Sequence, residues 1–228
     1  MKWGSFVEAK QNIAEVLLRE IRRKSKGVIG VSTVTDPYQP LEAQLKLTKK
    51  CLEILSANKC PTSIQTKSSL VLRDIDIITP QYFDVGVTIT TMDEHLAEKL
   101  EPKASKPYER ARVLGEFNAR GVKTWVFFGP IIPGVNDSNE EVRQIVGVAK
   151  RTESKLLFDK LNLRDWVLES LNPFLEKMAP TVIEKLPELL APRSDYWRKT
   201  SFTIRSLCRE LGVLCEPAFP QDVDYREA

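Results

Sequence analysis

Three features of this sequence predict an α/β fold built as a partial barrel of parallel strands. Short β-branched runs alternate with helical periodicities about every 20 to 40 residues, the signature of βα units. The strand runs show little inside–outside alternation, as expected of strands covered on both faces. In each unit the polar residues collect after the apolar part of the strand, the face on which parallel βα barrels build their sites.

The first amphipathic stretch carries Ile13, Val16, Leu17 and Ile21 at helical spacing and loads Arg22, Arg23, Lys24 and Lys26 before Gly27. "GVIGVSTV" is the first strand, followed by a helix on Leu41, Leu45, Leu52 and Leu55. "PTSIQT" is the second strand, "VLRDIDIIT" a compact helical connector and "FDVGVTITT" the third strand. Pro107 opens the next helix, Leu114 and Phe117 face inward and Gly121 stops it. "VKTWVFFGPIIPG" is the fourth strand; Ser138 and Glu141 have capping-box spacing ahead of Val142, Ile145, Val146 and Ala149, and "KLLFDKLNL" is the fifth strand.

At 228 residues and 42% hydrophobic content the chain can bury one large core. We expect a barrel over residues 1–165 and a mainly helical C-terminal extension, 166–228, packed on it. The net charge of +3, from 34 basic and 31 acidic residues, is too slight to mark a dedicated nucleic-acid binder. "MKWGSFVEAK" lacks the apolar run of a signal peptide, and no stretch reaches the roughly 20 apolar residues that span a bilayer, so a cytoplasmic protein without membrane contact is expected. Cys51, Cys60, Cys208 and Cys215 are too scattered for a disulfide framework and read as reduced thiols. Cys208 and Cys215 fall in a helix-to-strand turn and read as two core thiols in preference to a metal pair.

The strand ends offer Ser32, Thr33, Thr35, Asp36 and Gln39; Gln65, Thr66 and Lys67; Thr88, Thr90, Thr91 and Asp93; Pro133, Gly134, Asn136 and Asp137; and Asp159, Lys160, Asn162 and Arg164. Helix caps account for Ser138 and for Asp93 or Glu94. The caps leave a lysine at a strand end unexplained.

"WGSFVEAK", "VSTVTDPYQPLE", "LTKKCLEIL", "IQTKSSLVLRDIDII", "VTITTMDE", "LEPKASKPYER", "FFGPIIPGVND" and the closing "LCRELGVLCEPAF" resemble, in order, radical SAM proteins of the spore photoproduct lyase-like (DNA repair photolyase-like) group. The resemblance implies a partial (β/α)6 barrel that binds S-adenosylmethionine and a 4Fe-4S cluster and generates a 5'-deoxyadenosyl radical, with nucleic acid as a further partner in a repair-like lyase reaction. The group's Cys-x3-Cys-x2-Cys motif and first strand are missing, and none of the four cysteines has that spacing. The sequence therefore reads as a truncated or mis-started radical SAM protein, or as a homologue that has lost its cluster. The alternative is a cluster-less barrel remnant that acts as a binding or interaction module. An ordinary barrel hydrolase or lyase would have only Asp36, Asp159 and Lys67 to draw on.

By the same resemblance Thr35, Asp36 and Gln39, with Glu42 as reinforcement, meet the methionyl ammonium of the cofactor, and Lys67 meets its carboxylate. Thr88 and Thr90 meet the ribose, and the apolar side chains and main chain of "GPIIPG" hold adenine, with Ile132 packed on the base. The competing structural readings are an Asp-Pro turn for Asp36, a solvent-reaching lysine for Lys67, β-propensity for the threonines and an apolar strand end for Ile132. Thr33 stands where spore photoproduct lyase has a hydrogen-donating cysteine; a hydroxyl is no substitute for it. Tyr38 is open to a radical-relay role in place of that cysteine but reads in preference as an exposed turn tyrosine, and His95 reads as a surface residue. "REIRRKSK" and "RSDYWRKTSFTIRSLCRE" mix basic and aromatic groups as nucleic-acid surfaces do, although charged helix ends are more often merely solvated.

Overall fold

A computed structural model describes residues 6–21, 23, 27–31 and 34–219. Ser32, Thr33 and all of the expected basic turn but Arg23 lie outside the described residues. Among the described residues six strands form one sheet in sequential order, every neighbouring pair parallel: β1 (Ile29–Val31), β2 (Thr62–Thr66), β3 (Phe83–Thr88), β4 (Lys123–Ile131), β5 (Lys155–Lys160) and β6 (Cys215–Pro217). Among the described residues the sheet is open, with three-residue strands at both edges. The five expected strands are present, and Cys215–Pro217 adds a sixth beside β5.

The helices are α1 (Ile13–Glu20), α2 (Glu42–Leu45), α3 (Leu47–Ala57), α4 (Glu94–Leu100), α5 (Pro107–Asn118), α6 (Asn139–Arg151), α7 (Asp165–Met178), α8 (Leu186–Leu189) and α9 (Asp195–Leu211). "VLRDIDIIT" supplies most of a 3-10 turn over Ser69–Asp74. The caps follow the sequence: Asp93 accepts from the His95 and Leu96 N–H groups at α4, Ser138 from Glu141 at α6 and Ser194 from Trp197 at α9. Glu141 does not complete a capping box; its carboxylate accepts instead from the Met92 N–H at 2.6 Å, tying α6 to the loop after β3. Between α2 and α3, Lys46 turns left-handed at φ 54°, and the Glu42 carboxylate takes the orphan N–H groups of Thr48 and Lys49.

The main core joins Ile64, Val85, Val87, Val126, Phe128 and Phe158 of the sheet to Leu52 and Leu55 of α3, Leu114 and Phe117 of α5, Ile145 of α6 and Trp197 of α9. A second apolar cluster packs Ile132 and Leu161, just past β4 and β5, against Leu175, Leu186 and Leu190. Gly86 has a steric reason to be glycine: a Cβ there would stand 2.1 Å from the Trp125 ring, whose Nε1 donates to Asp84 at 2.8 Å. No described helix is long and apolar enough to cross a membrane.

Candidate functional site at the carboxyl ends of the strands

The carboxyl ends of β1 to β4 surround a cavity of about 250 Å³ lined by Val34, Thr35, Asp36, Gln65, Thr66, Lys67, Thr88, Phe127, Gly129 and Pro130. Of the residues singled out from the sequence, the structure thus brings Thr35, Asp36, Lys67 and Thr88 to one cavity. Gln39 is half-buried and Thr90 and Ile132 are buried, but none of the three lines it.

Asp36 organises the loop after β1. Its Oδ1 accepts from the Tyr38 N–H at 2.8 Å and from the Thr66 hydroxyl at 2.7 Å, and its Oδ2 accepts from the Lys67 N–H at 2.6 Å. The turn expected of an Asp-Pro pair is therefore also a clasp onto β2. It folds Tyr38 inward, which corrects the expectation of an exposed tyrosine: the ring is buried and its hydroxyl donates to Asp74 at 3.1 Å. Burial pushes the phenol well above its ordinary pKa and the Asp74 carboxylate adds to the rise, so Tyr38 stays neutral. Arg73 bridges Asp74 and Glu42, 2.7 Å from an oxygen of each. Glu42 is thereby committed to Arg73 and to the start of α3.

Lys67 already has a counter-charge within the protein: its Nζ lies 2.7 Å from Oε1 of Glu101, in the loop after α4. Glu101 accepts on Oε2 from Arg110 Nη1 at 2.6 Å and on Oε1 from the Thr90 hydroxyl at 2.9 Å. Arg110, 1% exposed, also donates to the carbonyls of Ser105 at 2.7 Å and Thr88 at 3.0 Å. Burial pushes the Glu101 carboxyl up, but the Lys67 and Arg110 cations outweigh it and hold the group below the usual carboxylate range. A lysine ammonium has three N–H donors, so the contact with Glu101 leaves two for a ligand.

Thr88 accepts from the Gln65 side chain at 3.1 Å, which leaves its own hydroxyl proton to donate. Asn136, fully buried, donates to the carbonyls of Thr90 and Pro130 at 2.7 and 3.0 Å and accepts from the Ile132 N–H at 2.6 Å, so it sutures the chain after β3 to the chain at the end of β4. Ile132 belongs to the second apolar cluster. His95 is exposed at the start of α4.

A larger cavity of about 380 Å³ lies between α4 and the start of α5 and shares Glu101 and Arg110 as its wall. Its lining comes entirely from α4, the first turn of α5 and the segment between them.

Sequence reading does not single out Glu101, Arg110 or Phe127, whereas Gly129 and Pro130 of the cavity wall open the "GPIIPG" segment expected at adenine. The available signal was Arg110 itself, on the helical face of Val113, Leu114 and Phe117, where a buried cation demands a carboxylate.

No family model matches the chain. It is 34% identical over 164 residues to an uncharacterised protein of Methanocaldococcus jannaschii, an alignment covering 72% of this chain and 60% of that one. It is 28% identical over 190 residues to an uncharacterised protein of Mycobacterium tuberculosis, covering 80% and 56%. The chain thus spans somewhat over half the length of these curated relatives. Among solved structures, spore photoproduct lyase complexed with dinucleoside spore photoproduct superposes with a TM-score of 0.63 at 14% identity, over 93% of this chain and 67% of that one. The chain has the fold of radical SAM enzymes. Two further members superpose on it: Streptococcus suis SuiB bound to S-adenosylmethionine (TM-score 0.54, 14% identity, 79% of this chain, 43% of that one) and a domain of pyruvate-formate lyase-activating enzyme from Bacteroides vulgatus (0.56, 8%, 83% and 100%). In this radical SAM fold the 250 Å³ cavity occupies the carboxyl face of the parallel sheet.

The donor sets fit one of the two expected groups. Lys67, Thr88 and Asp36 around an open cavity suit a ligand with an anionic end and hydroxyls. Among the described residues no group of three histidine, cysteine or acidic side chains could hold a metal ion, so they do not fit an iron–sulfur cluster.

Proposed function

We propose that this chain is the S-adenosylmethionine-binding part of a radical SAM enzyme. The observation that carries the reading is the convergence of Thr35, Asp36, Lys67 and Thr88, from three different strand ends, on one cavity of a sheet with the radical SAM fold. The two N–H groups of Lys67 not turned to Glu101 hold the methionyl carboxylate, a charge-assisted contact. The Thr88 hydroxyl donates to the ribose while Gln65 fixes its orientation. Thr35 lines the same wall, and Asp36, an acceptor with three protein donors already placed on it, sets the position of the Lys67 backbone and faces the methionyl ammonium with its remaining lone pair. Thr90 supports the site from behind through Glu101, and Ile132 through the Asn136 suture.

Lys67, Thr88 and Asp36 would hold S-adenosylmethionine, which would supply radical chemistry for removing hydrogen from a substrate. A repair-like lyase reaction on nucleic acid is the finer reading, supported by the motif resemblance and by the likeness to a lyase solved with a dinucleoside photoproduct.

The test is equilibrium dialysis of the chain with radiolabelled S-adenosylmethionine. Saturable one-to-one binding is expected, weakened about tenfold or more, roughly 1.4 kcal/mol, in Lys67→Met. Binding that is absent in the unsubstituted chain, or indifferent to Lys67→Met, overturns the reading.

A further inference from the structure

The cleft between α4 and α5 holds donors that the strand-end cavity does not use. Arg110, 1% exposed, donates through Nε to the Ser105 carbonyl and through Nη1 to the Thr88 carbonyl and to Glu101. Among the described residues nothing pairs with its Nη2, which carries two more N–H donors. Nor is that nitrogen sealed in the core as Trp197 Nε1 and Ser201 Oγ are. Its opening is the cleft, which Arg110 lines.

Arg73 of the same chain shows what such a guanidinium can hold. Its Nε and Nη2 donate to Asp74 at 2.9 and 2.7 Å, and Nη2 donates also to Glu42 at 2.7 Å, so one cation serves two carboxylates with every nitrogen engaged. At Arg110 the count is reversed: Lys67 and Arg110, two cations, share the one carboxylate of Glu101. The deep end of the cleft thus offers donors and charge for a second carboxylate. The outer part has the opposite character. Glu98, exposed on α4 and without an ion-pair partner among the described residues, lines the same cleft, whereas Glu94 is matched by Lys106 at 3.1 Å. Ala97, Pro102 and Ala104 add uncharged wall.

We propose that this cleft binds a free α-amino acid with an uncharged side chain, its carboxylate on Arg110 Nη2 and its ammonium on Glu98. The volume of about 380 Å³ is in the range of small-molecule sites. Both charges of the guest are required. A carboxylate without an ammonium leaves Glu98 unanswered and adds a like charge to the cleft, and an amine without a carboxylate leaves the buried donors of Arg110 unused. The uncharged wall takes the side chain.

The experiment titrates the isotope-labelled chain with L-alanine, L-serine, L-valine, L-leucine and L-methionine and reads the amide resonances of Glu98 and Ser105. Expected are saturable shifts at both amides with at least one of these amino acids. Its deaminated acid and its decarboxylated amine should each bind about tenfold more weakly. Glu98→Gln, an exposed and nearly isosteric change, should weaken binding about fivefold. The comparison of guests needs no variant and so does not depend on how Glu98→Gln folds. No shift with any of these amino acids at about 10 mM, equal binding of the deaminated acid or the amine, indifference to Glu98→Gln, or shifts confined to Lys67 and Thr88 overturns the proposal. The last outcome would place the amino acid in the strand-end cavity. Failure here leaves the dialysis with S-adenosylmethionine untouched, and failure there leaves this site untouched, because the two read different cavities.

Discussion

Neutralising Glu101 isolates the charge network behind the cavity. Glu101→Gln keeps the shape and one oxygen but leaves Arg110, with a side chain 2% exposed, beside two carbonyls and no carboxylate. Removing one partner of a buried pair costs about 3–5 kcal/mol. The lower figure applies here, because the glutamine amide still meets Thr90 and Glu101 is itself 10% exposed. With a urea slope of about 3 kcal/mol/M, that is a fall of about 1 M in the unfolding midpoint at pH 7. Pairing Arg110→Met with Glu101→Leu should recover a large part of the loss, since no buried charge is then unpaired. Arg143→Ala, at an exposed ion pair, should leave the midpoint in place. The pH dependence carries the sign. Glu101 is held below its unfolded value of about 4.3, so its contribution is fully present above that value and disappears as the pH falls through the lower folded value. The gap between the original chain and Glu101→Gln should be constant from about pH 6 to 8 and close in acid. A midpoint shift under about 0.3 M, or a gap that widens in acid, refutes the reasoning.

Two further substitutions test the frame of the cavity. Gly86→Ala drives a Cβ into the Trp125 ring and should cost about 3 kcal/mol, shifting the tryptophan emission as the indole leaves Asp84; adding Trp125→Leu should restore most of the midpoint, and no rescue means the clash is not the cause. Asp36→Ala removes three hydrogen bonds from the clasp on β2 and should cost about 2 kcal/mol with faster hydrogen exchange at the Lys67 amide; unchanged exchange there refutes the clasp.

The fold was largely legible because its signals are local. Uninterrupted runs such as that around Val85 and Val87 belong to buried parallel strands, and Ser138, Asp93 and Gly121 punctuate helices through backbone groups within a few residues of themselves. Cys215–Pro217 was not read as part of the sheet, because three residues hold no periodicity; only pairing with Leu156–Phe158 makes them a strand.

The site was legible in location but not in valence. Polar residues at successive strand ends indicate where chemistry can collect, and four of the seven chosen line the cavity. Which of their donors and acceptors stay open is a tertiary property. The sequence around Lys67 offers it no counter-charge, because the partner it has lies thirty-four residues on, in a loop with no apolar pattern to announce it. Glu42, open to an ammonium in the sequence alone, is taken in the fold by Arg73 and the start of α3. Buried ionic groups must satisfy one another before they can serve a ligand, so a sequence identifies the set that will meet. What remains open for a guest is fixed by the leftovers: two N–H bonds on Lys67, one hydroxyl proton on Thr88 and one lone pair on Asp36.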